Sequence, residues 1–214
     1  LHHIAADGWS MRPLAHDLSA AYQSRSNGTA PDWEPLPITY TDYTLWHHDL
    51  LGQDRHLEFW RTALAGMPHQ ITLPADRPRP AVPTHQGRTL AVNLDAGLHA
   101  ALRRTARTHD VTVFMVLHAA LATVLHRLGA GTDIPIGTVT AQRSHQHLED
   151  LIGFFVNTLI LRTDLSEDPT FTTLLHRVRQ TDLTAYDHTD LPFDRLIEDL
   201  QPARTLTHHP LIQV

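Results

Sequence analysis

Between residues 73 and 87 the chain reads LPADRPRPAVPTHQG, with prolines at Pro74, Pro78, Pro80 and Pro83. Proline lacks a backbone donor and clashes with the preceding helical turn, so no regular helix crosses this stretch. The 214-residue chain is thereby broken into two blocks that each need packing of their own. The segment is an extended linker. The expected division is 1–73, a crossover at 74–86, and 87–214.

The flanking blocks carry enough apolar sequence for cores. Hydrophobic residues are 42% and charged residues 19% of the chain, a globular rather than a disordered balance. The formal net charge is -6, which argues against nucleic acid as a partner, since a polyanion selects a basic face. No apolar run is expected to reach the ~18 residues a membrane span needs, so no membrane partner is expected. Cysteine is absent. That excludes disulfides, a thiol nucleophile and Cys-type zinc sites, and it suits a cytoplasmic setting. The chain begins at Leu1 without a signal-peptide pattern and stops on the apolar HPLIQV; both ends are expected to be cut from something longer.

Periodicity supplies the elements. Met11, Leu14, Leu18 and Tyr22 recur at helical spacing, TYTDYTLWHHDLL reads as a short helix, and DRHLEFWRTALAG reads as a helix stopping at Gly66. Beyond the linker, Leu90, Val92 and Leu94 alternate as in a strand. Ala96 to Thr108 reads as helix. Thr112 caps a helix expected to be strongly buried, closed by Gly129 and Gly131. DIPIGTVTA and FFVNTLILR read as strands, the second covered on both faces. Two helices follow, one through Phe171 and Val178 and one started by Pro192. Strands alternating with helices give an α/β class.

Chemistry concentrates at the start, in HHIAADGWS. The chain holds 18 histidines, with further pairs at His47-His48 and His208-His209, so the His-His pair alone carries nothing. A strand running into an Asp-Gly turn explains the stretch structurally. The functional alternative makes His3 a base. Strand alternation would send His2 and His3 to opposite faces, Asp7 would brace the turn, and Gly8 would let backbone approach a substrate. Within FFVNTLILR, Asn157 and Thr158 need polar partners if buried; a substrate channel lined by strand residues would supply them. His145 and His147 lack any metal-protease context such as H-E-x-x-H, so no metal is expected. Ser10 lacks the glycine flanks of a hydrolase elbow.

Taken in order, these stretches resemble the condensation domain of nonribosomal peptide synthetases. HHIAADGWS is similar to the family's HHxxxDG motif with its Trp-Ser extension at Trp9 and Ser10. YTDYTLW (Tyr40–Trp46) resembles the next motif, with Thr44 for the usual alanine. IGFFVNTLILR (Ile152–Arg162) is a near-complete match to a third. HTDLPFD (His188–Asp194) resembles H-Q-D-x-P-F-E, with Thr189 for Gln and Asp194 for Glu. RTLTHHPL (Arg204–Leu211) resembles R-D-x-S-R-N-P-L, keeping Arg204, Pro210 and Leu211.

The resemblance implies a chloramphenicol-acetyltransferase-like fold of two α/β lobes around a tunnel, here partial: the end of the first lobe and most of the second. It implies an amide-forming acyltransferase that joins carrier-bound thioesters. The phosphopantetheine arms would arrive on upstream and downstream carrier proteins, with an adenylation domain in the same synthetase and no cofactor held by the domain itself. His3 would act as base or positioning group, with His2 beside it. Gly8 would offer its N–H to the oxyanion, and Trp9, Asn157 and Arg162 would support the tunnel. Asp7 would hold the turn through an ion pair, with Arg162 the first candidate partner and a residue preceding Leu1 the other. Starter N-acylating and ester-forming variants keep the same His3. A noncatalytic docking module of this fold tends to lose the second His or the Gly. Epimerization and heterocyclization domains are disfavoured by DGWS and by the HH pair, and a free coenzyme A acetyltransferase by the motifs beyond HxxxDG.

Overall fold

The computed structural model describes residues 1–50, 55–78, 80, 82, 84, 86–202, 209 and 211–214. A short 3-10 turn at His3–Ala5 leads into helices α1 (Met11–Ser26), α2 (Tyr40–Leu50) and α3 (Arg55–Leu64). After an irregular stretch come α4 (Ala96–Thr108), α5 (Val113–Leu125), strand β1 (Asp133–Ala141), strand β2 (Val156–Asp164), α6 (Phe171–Tyr186) and α7 (Phe193–Leu200).

Several boundaries are set by caps within one turn of the helix. Asp95 accepts from Leu98 N at the start of α4, Thr112 from Met115 N at α5, and Thr170 from Thr173 N at α6. Each satisfies an N–H that the helix leaves orphaned. A π-helical turn at His126–Ala130 ends the α5 run. Gly129 and Gly131 take φ of 95° and 93° there, which side chains rarely tolerate. Pro192 precedes α7 as its N-cap.

β1 and β2 pair antiparallel, from Asp133 opposite Asp164 to Ala141 opposite Val156. Two apolar clusters meet on this ribbon. Ile134 and Ile136 pack with Met115 and Ala119 of α5 and Leu175 and Val178 of α6. Ile160, which alternation turns to the face opposite Ile134 and Ile136, packs with Trp60 and Leu64 of α3 and Leu196 of α7. The β2 run is therefore covered on both sides, as its unbroken apolar character predicts. Three buried polar groups bridge the first cluster. His118 of α5 lies 3.0 Å from Asp182 Oδ1 through Nδ1 and 2.9 Å from Thr163 Oγ1 through Nε2.

Four expectations are corrected. His2 and His3 do not lie on a strand: the His2 ring nitrogen accepts from Ile4 N at 3.1 Å and His3 Nδ1 bonds Ala6 O at 3.0 Å, and these local bonds fold the stretch into a 3-10 turn. Residues 88–94 form no strand. They carry no regular secondary structure and are exposed, and among the described residues no strand pairs with them; alternation sets side-chain direction but cannot provide a partner. Helix α5 is buried on one face only, with Phe114, Leu117, Leu121 and Val124 exposed on the other. Finally, the 18-residue helical run Val113–Ala130 has a mean hydropathy of 1.5 and is long and apolar enough, by length and composition, to cross a membrane. Its inner face is spent on the ribbon and α6, as in a core helix.

Candidate functional site

The turn after the 3-10 segment brings Asp7, Ser10 and the Gly153–Phe155 stretch together. Asp7 and Ser10 are almost wholly buried. Asp7 Oδ1 accepts from Ser10 N at 2.9 Å and from its hydroxyl at 2.8 Å, and Asp7 Oδ2 accepts from Phe155 N at 3.1 Å. Asp7 N donates to Gly153 O at 3.0 Å, and Gly153 N donates to Ser10 Oγ at 3.1 Å. The HHxxxDG turn is thus stitched to the start of the FFVNT strand.

The Asp7 cation is Arg143, not Arg162. Arg143 Nη2 lies 3.2 Å from Asp7 Oδ1 and donates to Ser10 Oγ at 2.9 Å. Its Nη1 donates to the carbonyls of Leu148 and Leu151, and its guanidinium stacks 4.0 Å over the Phe155 ring. Arg162 pairs with Asp133 at 2.7 Å and donates to the Ala63 and Ala65 carbonyls at the end of α3. The reason is reach. Phe155 touches Asp7, and seven extended residues at ~3.3 Å each put Arg162 roughly 23 Å away. Burial pushes the Asp7 carboxyl up. The hydrogen bonds from Ser10 and from Phe155 N, with the Arg143 charge, outweigh it and hold the group below its ordinary value.

His3 stands beside this turn. Its Nδ1 lies 3.0 Å from Ala6 O. A carbonyl only accepts, so Nδ1 is the donor here, and in the tautomer this bond selects the lone pair falls on Nε2. The ring meets Phe154 edge to face, 5.2 Å between centroids. Gly8 is exposed, and a Cβ placed on it would meet nothing within 4 Å. Trp9 is exposed too.

Asn157 finds its partners within the chain rather than in a channel. Its Nδ2 donates to Thr189 O at 2.8 Å and Leu191 O at 2.7 Å, and its Oδ1 accepts from Phe193 N at 3.0 Å. It ties HTDLPFD to β2. The RTLTHHPL motif falls mostly outside the described residues; within it, Leu211 is buried. Among the described residues no three His, Asp or Glu side chains converge in a way that could hold a metal ion. Arg143, Ser10, Gly153 and Tyr40 were missed as site residues. An arginine in TAQRSH, ahead of the FFVNT strand, is the sequence signal for the first.

The condensation-domain family model matches residues 1–214. The chain belongs to the condensation-domain family. It is 49% identical over 222 residues to a dimodular nonribosomal peptide synthase of Bacillus subtilis, covering 100% of this chain and 9% of that protein. The X-domain from teicoplanin biosynthesis superposes with a TM-score of 0.92 at 40% identity, covering 100% of this chain and 49% of that one. A complex of the X-domain and OxyB gives 0.90 at 40% identity over 99% of this chain and 48% of the other. The chain therefore spans about half of those solved chains and less than a tenth of that synthase. The fold is that of nonribosomal peptide synthetase condensation domains and X-domains, mixed helix and sheet and partial here.

Proposed function

We propose that this chain carries the reacting centre of a condensation domain that joins an acyl or peptidyl thioester to the amine of an aminoacyl thioester. Residues 1–73 and 87–214 would belong to two lobes, with 74–86 crossing between them. Both substrates would arrive on phosphopantetheine arms of upstream and downstream carrier proteins in the cytoplasm, with an adenylation domain in the same synthetase.

The observation that carries this reading is the His3 ring: Nδ1 is pinned to Ala6 O and, among the described residues, no hydrogen bond engages Nε2, in a chain of this family. An α-amine has a pKa of about 7.7–8.0, so much of it is protonated near neutrality, and a His of about 6.5 suits its deprotonation. The amine nitrogen bonds the thioester carbon, the C–S bond breaks, and the proton taken by Nε2 leaves on the thiol. Tethering supplies effective concentration. Gly8 offers its N–H to the tetrahedral oxyanion. Asp7 transfers no proton; with Arg143 it holds the turn. His2 has its ring nitrogen engaged by Ile4 N and supports the turn. Trp9, Asn157 and Arg162 are supporting residues in this reading.

His3→Ala in the full synthetase, assayed in a single turnover with both carriers loaded, should abolish dipeptidyl transfer while carrier loading continues. Near-normal transfer would remove His3 from the mechanism. Varying the acceptor between amine and alcohol in the same assay separates peptide-bond formation from ester-forming variants, and varying the donor separates a starter N-acylating one. The likeness to an X-domain held in complex with OxyB supports a second reading as a docking module. Retention of both His3 and Gly8 favours catalysis.

A further inference from the structure

We propose that Tyr40, acting through Phe154, is a positioning residue for His3, an inference that rests on the catalytic reading of His3. Phe154 precedes the β1–β2 ladder, which starts at Val156, so the ladder does not hold its carbonyl. Tyr40 does: its hydroxyl donates to Phe154 O at 2.7 Å. The phenol ring itself lies against the neighbouring glycine. A Cβ on Gly153 would come within 2.3 Å of Tyr40 ring carbons, so only glycine admits the ring. Tyr40 also packs edge to face on Phe155, 5.2 Å between centroids.

The Gly153–Phe155 backbone is therefore gripped from two sides. Asp7 and Ser10 bond Gly153 and Phe155, and Tyr40 bonds Phe154. The one side chain that projects from this clamp toward the reacting histidine is Phe154, whose ring stands at 82° to the His3 imidazole. Phe154 is 38% exposed, so core packing does not by itself lock the ring. What orients it is the backbone beneath. His3 needs two restraints to aim Nε2: the Nδ1 bond to Ala6 O and a wall for its ring plane. Tyr40 secures the wall without touching the reacting atoms. Burial foremost raises the Tyr40 pKa, so the hydroxyl stays a donor through the working pH range.

The test uses the full synthetase with both carriers loaded and compares Tyr40→Phe, Phe154→Leu, His3→Ala and Tyr22→Phe. Tyr40→Phe keeps the ring on Gly153 and removes only the hydroxyl. It should lower kcat roughly tenfold, short of the ~10²-fold that a 1 Å misplacement of a reacting group can cost, with KM for the loaded acceptor carrier unchanged. The acid limb of its pH–rate profile should move to lower pH, because a loosened Nδ1–H bond to Ala6 O stabilises the imidazolium less. Phe154→Leu should reproduce both effects. Tyr22→Phe, exposed on α1, should match the wild type. Wild-type kcat and pH profile in Tyr40→Phe, with His3→Ala inactive, would overturn the positioning role and leave the catalytic reading standing. Activity retained in His3→Ala would overturn both. Losses in Tyr40→Phe and Phe154→Leu that follow a lowered unfolding midpoint, with an unmoved pH profile, would assign a structural role and overturn the inference.

Discussion

Arg143 and Asp7 form a buried ion pair beneath the HHxxxDG turn. The Arg143 side chain is 6% exposed and that of Asp7 is fully buried, so both charges have left water and each is tolerable only because the other is there. Deleting one strands the other. Arg143→Ala is expected to cost about 3–5 kcal/mol, the range for breaking a buried pair. It should show as a lower denaturant midpoint before any question of catalysis arises. Asp7→Asn keeps the shape and hydrogen-bonding capacity on one oxygen but leaves the guanidinium unpaired. A stable, soluble but inactive Asp7→Asn, measured by the same midpoint, would mean that the carboxylate acts on the reaction directly. Ser10 shares the same knot: its hydroxyl lies within bonding distance of Asp7 Oδ1, Arg143 Nη2, Gly153 N and Gly153 O, which accounts for its complete burial.

At the scale of elements, helix α3 is joined to the HTDLPFD segment by a histidine pair. His56 Nδ1 and His188 Nδ1 lie 3.1 Å apart, the His188 ring stacks on Phe59 at 3.9 Å, and Trp60 Nε1 donates to His188 O. One ring must donate and the other accept, so two protonated rings cannot hold the contact. Burial is the largest cause lowering both pKa values. The Arg55 charge adds to it at both rings, and Asp190 opposes it at both, joined at His188 by Asp187. A histidine with a depressed folded pKa contributes stability that is fully present above its unfolded value, about 6.5, and is lost as pH falls through the folded value. The unfolding midpoint is therefore expected to be flat above that pH and to drop on acidification. His188→Gln, which keeps a donor and an acceptor without titrating, should flatten the acid slope. An unchanged slope would show that the pair does not link α3 to pH.

At the scale of the whole molecule, much apolar surface is left uncovered. Leu90 and Val92 are 86% and 75% exposed, and Phe114, Leu117, Leu121 and Val124 form a stripe along the outer face of α5. Helix α1 buries no residue at all. Contiguous surfaces of this kind drive association. Leu1 and Ile4, on either side of the histidine pair, are also exposed. These 214 residues expressed alone are expected to self-associate and to form no dipeptide from two loaded carriers. Light scattering across a concentration series, with a product assay alongside, checks this; a monomer that condenses substrates would contradict it.

The elements that could be read directly from the amino-acid order are those whose cause is local. Asp95, Thr112 and Thr170 cap helices through bonds to residues three positions on, Gly129 and Gly131 end a helical run through their own backbone freedom, and the continuous apolar run of β2 announces a strand covered on both sides. The ordered motifs likewise disclose the family, because they are strings of residue types at fixed spacing. What waited on the tertiary structure was every choice among distant equivalents. Asp7 and Arg143 are 136 positions apart, and nothing in residue type distinguishes Arg143 from Arg162; only the antiparallel register of β1 and β2 places one beside the turn and the other at the far end. Whether residues 88–94 form a strand depends on a neighbour to receive their hydrogen bonds, and alternation along one segment cannot say whether that neighbour is present. Tyr40 reads as a helix-start aromatic until the fold lays its ring on Gly153, because contact between remote segments is decided by packing rather than by local propensity.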